Sequence, residues 1–94
     1  MFLVNITYVK PIEKIEQHLA AHNVWLDKHY LSGDFVASGR KVPRTGGIIL
    51  VKAASKSIVN DMLKSEPFNI AKLATYEILE FRITKTNNKG IDLE

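Results

Sequence analysis

Apolar residues in this chain change their spacing in a fixed order: alternate, helical, alternate, alternate, helical, alternate. Few folds accept that order. Phe2, Val4, Ile6 and Tyr8 share one face of a first strand over residues 2–9, which is rich in β-branched and aromatic types. Pro11 opens a helix over 12–31, where Ile12, Ile15, Leu19, Leu26 and Tyr30 form one stripe at about 100° per residue. Glu13, Glu16, Gln17, Asp27 and Lys28 lie opposite, and Ser32-Gly33-Asp34 stops the helix. Strands over 35–42 and 48–53 then form a hairpin through Pro43-Arg44-Thr45-Gly46-Gly47. The second of these is almost wholly apolar, which places it at the centre of a sheet with both faces covered. Ser55 caps a second helix carrying Ile58, Val59, Met62 and Leu63, and Glu66-Pro67 ends it. A connector over 68–74 leads to a last strand over 75–84, in which Leu79, Phe81 and Ile83 alternate with Ile78, Glu80 and Arg82.

The resulting βαββαβ order, closed by right-handed crossovers, predicts an α+β, ferredoxin-like fold. It has a four-stranded antiparallel sheet with two helices on one face. Leu3, Asn5, Thr7 and Val9 then belong to the uncovered face. The 94 residues make one domain over 1–84, with a flexible C-terminal tail over 85–94. So short a chain removes only about 60–65% of its unfolded surface from water, so a homodimer that covers the open face is expected.

Composition removes several classes of function. The chain has no cysteine, so disulfides, thiolate metal sites and thiol redox chemistry are excluded. Met1-Phe2-Leu3-Val4 meets Asn5 too soon for a secretory core and no apolar run approaches a membrane span, so a cytoplasmic protein with no membrane partner is expected. A net charge of +3 is modest, and the third strand, Gly47-Ile48-Ile49-Leu50-Val51-Lys52, has no aromatic on which a base could stack. Nucleic acid is therefore not an expected partner.

Candidate chemistry lies on the first helix, where His18, His22, Trp25 and His29 run along one edge of the apolar stripe. His18 and His22 have the spacing of a zinc pair, but Leu19 replaces the glutamate of the metalloprotease pattern and the helix offers no third ligand. No metal and no cofactor are therefore expected. Proton transfer needs one half-shielded imidazole and one carboxylate to orient it and stabilise its cation. His22 lies nearest the apolar stripe, and Glu66 is held by Pro67 on an element sharing the same sheet face. These two are the candidate catalytic residues. Trp25, Ser38, Arg40 and Phe68 are the candidate substrate-binding residues, with Arg40 suited to an anion. The competing reading is a histidine satisfied by a backbone carbonyl, a solvent-facing Glu66 and a Trp25 that only packs.

Taken in order, several segments resemble the YciI-like (YCII-related) family of small dimeric α+β barrel proteins. These are the N-terminal strand, His22 followed by Leu26, Gly33, Ser38-Gly39, the corner Glu66-Pro67-Phe68 and Tyr76-Glu77-Ile78. The resemblance implies a ferredoxin-like protomer whose open face packs on a second copy, and an active site at His22 and Glu66. The family usually carries aspartate at the acidic position, and often an arginine about one turn before the histidine, near Leu19 here. It further implies lyase or isomerase chemistry on a small, often cyclic, oxygenated molecule. The alternative is a non-catalytic small-ligand-binding or accessory dimeric module.

Overall fold

The computed structural model describes residues 1–87, so the expected tail lies outside the described residues from position 88 onward. Its elements are β1 (Phe2–Tyr8), α1 (Ile12–Gln17), α2 (Leu19–Leu31), β2 (Phe35–Arg40), β3 (Gly46–Val51), α3 (Lys56–Leu63), α4 (Pro67–Ile70) and β4 (Ala74–Glu80). The strands form one antiparallel sheet in the order β2-β3-β1-β4, so β1 and β3 are central. With its two main helices, α2 and α3, on one face, this is the ferredoxin-like arrangement. Among the described residues no helix is long and apolar enough to cross a membrane.

Strand parity places the core. Phe2, Val4 and Ile6 of β1 are buried toward the helices with Ile49 and Val51 of β3 and Phe35 of β2. Ile15, Trp25, Val59, Leu63 and Phe68 close over them from the helical side. On the opposite face Leu50, Leu3 and Leu79 are direct cross-strand neighbours, and Leu79 keeps 62% exposure.

The first helix differs from the continuous 12–31 element that its periodicity predicts. It breaks at His18 (φ −111°, ψ 5°). The His18 ring Nδ1 donates to the Lys14 carbonyl at 3.1 Å, taking the acceptor that an unbroken α-helix gives to the His18 N–H. That N–H bonds Ile15 instead, one residue short of the α-helical partner. The break rephases the residues C-terminal to it. Trp25 and His29 become the buried residues of α2, and Tyr30, expected within the stripe, is 39% exposed. The C-terminal half of the strip, Trp25 and His29, thus faces inward rather than lying along an edge, while His18 and His22 stay partly exposed.

The end of α2 follows the sequence signal, with Gly33 in the left-handed region (φ +85°) just after Ser32. Asp34 then accepts from the Ser32 hydroxyl at 2.7 Å and bonds the His29 ring at 3.0 Å. Those two hydrogen bonds hold its carboxyl below the ordinary range against a smaller opposing effect of burial.

Strand limits also shift. β2 ends at Arg40 and β4 at Glu80, earlier than the alternation suggests. β3 starts at Gly46 rather than Ile48 because the glycines read as turn residues pair in register with Thr7 and Ile6 of β1. The connector after Glu66 contains a further single helical turn, α4.

Candidate active site

The site is assembled around α4. Pro67 at its first position is preorganised for a helix start, and Glu66 before it is the N-cap. The Glu66 carboxylate accepts from the Phe68 N–H at 3.1 Å and the Asn69 N–H at 3.0 Å, amides of the first helical turn, the second of which also reaches the Glu66 backbone carbonyl at 2.9 Å. The side chain is fully buried. Its Oε2 also accepts from the Tyr76 hydroxyl on β4, and its Oε1 meets His22 Nδ1 of α2 at 2.7 Å. Four groups from three elements therefore converge on two oxygens. Three of them are donors by chemistry, and the network is complete when His22 Nδ1 carries the fourth proton.

His22 keeps 13% side-chain exposure and lies stacked on the Phe68 ring, with centroids 4.3 Å apart and planes 14° apart. Glu66 thus fixes the tautomer and Phe68 fixes the plane. The remaining nitrogen, Nε2, makes no hydrogen bond within the described residues.

A cavity of about 360 Å³ opens beside this ring, between α2 and the β2–β3 hairpin. Leu19, Leu26, Ile6, Ile49 and Phe68 give it apolar walls, and Asn23, Ser38, Arg40 and Arg44 add polar groups. Ser38 is tied to the Tyr30 hydroxyl at 2.7 Å, and Arg44 to Glu16 at 3.3 Å.

Of the residues singled out from sequence, His22, Ser38, Arg40 and Phe68 share this cavity, with Glu66 directly behind His22. Trp25 is elsewhere. It is 5% exposed, packs against Phe35 and His29, and donates its indole N–H to Ser65 Oγ at 3.1 Å, so it is a core residue outside the cavity lining. Sequence reasoning misses Tyr76 and Asn23, leaves Arg44 as part of a basic loop, and treats Glu66 as the end of one helix rather than the cap of the next. Proline after an acidic residue is the available signal for that cap. Among the described residues no group of three or more His, Cys, Asp or Glu side chains is placed to hold a metal ion.

The sequence model of the YCII-related domain matches residues 1–82. The chain belongs to that family. In fold this YCII-related protein is similar to the 5-chloro-2-hydroxyhydroquinone dehydrochlorinase of Burkholderia phenoliruptrix AC1100, solved in complex with 2,5-dihydroxybenzoquinone. The TM-score is 0.73 and the identity 18%, over 87% of this chain and 94% of that one. Among curated proteins none matches in sequence.

Tyr76 gives the YCII-related protein a signature at high pH. Burial first, and then its hydrogen bond to Glu66 and the charge of that carboxylate, push the phenol well above its ordinary range. A raised acid pKa in the folded state stabilises fully below the unfolded value and is lost as pH rises beyond it. From about pH 10 upward this one phenol should therefore remove at most about 1.4 kcal/mol of stability per pH unit. Urea unfolding of the parent and of Tyr76→Phe across that range should give a shallower decline for the variant. Parallel declines would show that the phenol is not held protonated by the fold.

Proposed function

We propose that this YCII-related protein is an enzyme that moves a proton on a small, often cyclic, oxygenated substrate, using His22 as base and acid and Glu66 to orient it. The observation that carries the reading is the 2.7 Å contact between a ring at the cavity wall and a fully buried carboxylate. With Nδ1 donating to Glu66, Nε2 offers its lone pair to a substrate O–H or C–H. The Glu66 charge then stabilises the imidazolium that forms. Returning the proton to a second atom of the same substrate completes an isomerisation. Passing it out while a neighbouring bond breaks toward its leaving group completes an elimination, the class to which loss of HCl belongs. Neither outcome transfers electrons to an acceptor, so the chemistry asks for no redox cofactor. The named reaction of the structural neighbour supports the elimination form.

Solvent exchange tests this even while the substrate is unidentified. Small enolisable carbonyl compounds and hydroxyquinones, 2,5-dihydroxybenzoquinone among them, are incubated with the protein in D2O and followed by NMR. Catalysed exchange should fall by about 10²–10⁴ in His22→Ala, and strongly in Glu66→Gln. Folded variants that keep the parent rate would end the proton-transfer reading. Parent protein that binds these compounds without exchanging them would favour the non-catalytic module.

The same reading places a second protomer on the open sheet face, where the Leu50-Leu3-Leu79 row would otherwise meet water. Sedimentation equilibrium should return twice the chain mass, and a monomer across the accessible concentration range would remove the homodimer.

A further inference from the structure

We propose that Arg40 and Arg44 form an anion clamp at the hairpin end of the cavity, and that the molecule they hold is a small planar acid whose carboxylate or enolate oxygens lie between the two guanidiniums. This deepens the reading of the cavity as the substrate site, but it does not depend on the proton chemistry at His22.

The charge balance of the cavity comes first. Its lining contains two arginines and no aspartate or glutamate. Glu66 stands behind the His22 ring and is fully buried, with its oxygens already met by four groups, so it presents no bare negative charge to the cavity.

Neither guanidinium is held by a buried partner. Arg40 is exposed, and its side chain has no hydrogen-bonding or ionic partner among the described residues. It pairs in register with Gly47 of β3, which has no side chain to crowd it. Arg44 has one partner, Glu16, at 3.3 Å, and that carboxylate is 57% exposed. An exposed pair of this kind is worth little. A ligand anion that binds Arg44 in a more shielded place can displace Glu16, because paired planar donors match carboxylate geometry.

Shape supplies the rest of the ligand. Leu19, Leu26 and Phe68 on one side and Ile6 and Ile49 on the other suit a flat apolar body, and about 360 Å³ has room for a single substituted ring.

Benzoate and its neutral isostere benzamide are the probes, titrated by calorimetry and by backbone amide NMR into the parent, Arg40→Gln, Arg44→Gln and Glu16→Gln proteins. Benzoate should bind at least about tenfold more tightly than benzamide, and either arginine variant should remove most of that difference. Glu16→Gln should tighten benzoate and leave benzamide unchanged, a gain that general damage to the fold would not produce. Equal binding of the two probes, a benzoate affinity indifferent to Arg40, or no benzoate binding at all would each overturn the clamp. Inorganic phosphate binding with the same arginine dependence while benzoate fails would overturn the planar acid. Because these titrations involve no proton transfer, a clamp without exchange defeats only the catalytic reading, and exchange without a clamp defeats only this one.

Discussion

Replacing Glu66 with leucine should destabilise the protein by about 3 kcal/mol or more, lowering the unfolding temperature by about 15 °C. The volume is nearly kept, so the loss is polar. Leucine leaves the Phe68 amide, the Tyr76 hydroxyl and the His22 ring without their acceptor and removes one of the two acceptors of the Asn69 amide, all beside a fully buried position. Each stranded donor costs about 1–3 kcal/mol, and the sum is less than additive because some will find water. Against the total stability of about 5–15 kcal/mol typical of small domains, that is a large share. Glu66→Gln should fall between leucine and parent, since it keeps one acceptor oxygen but turns an NH₂ toward donors. Thermal unfolding followed by circular dichroism reads both variants. A leucine variant within about 1 kcal/mol of the parent would show that Glu66 is not the hub of this corner.

A second large effect is expected at Gly46. A Cβ there would lie 1.8 Å from the Ile6 carbonyl oxygen, 2.8 Å from its carbon and 3.1 Å from Thr7 Cα. All three are backbone atoms of β1, a central strand, so no rotamer change relieves the contact. Gly46→Ala must push β3 away from β1, and the two interior strands of the sheet then separate where their register begins. We expect a loss of about 4 kcal/mol or more, or no folded protein. Gly47→Ala is the control. Its Cβ would lie 3.0 Å from the Gly39 carbonyl of edge strand β2, which has room to yield, so that variant should fold and lose far less. If the two variants unfold together, the close approach at Gly46 is not what holds β3 in place.

These positions also mark how much of the fold is legible in the residues alone. The parity of Phe2, Val4 and Ile6 and the apolar run of β3 are local patterns, and the element order and core follow from them. The break at His18 is local in sequence, but hydropathy spacing does not carry it, because it depends on which donor claims the Lys14 carbonyl. Gly46 is legible as a glycine but not as a strand residue, since a turn and a close backbone approach both ask for the same side chain. The contact of His22 with Glu66 spans 44 residues, and no periodicity encodes it. The family resemblance points to the pair, but its geometry rests on the N-cap of a helical turn that spacing alone reads as a connector. Tyr76 is hidden for the same reason. Its strand parity is clear, but what it faces is fixed only by α4. Trp25 carries two readings in the sequence, and the rephased α2 turns it inward.

Among the described residues the outer strand β2 is hydrogen-bonded along one edge only, and it carries Ser38 and Arg40. Across the hollow, His22 is fastened through Glu66 to both α4 and β4. One flank is therefore stiff and the other compliant. On the proposed reading, guests of different width would be accommodated by sideways give in the outer strand, while the His22 ring keeps its address.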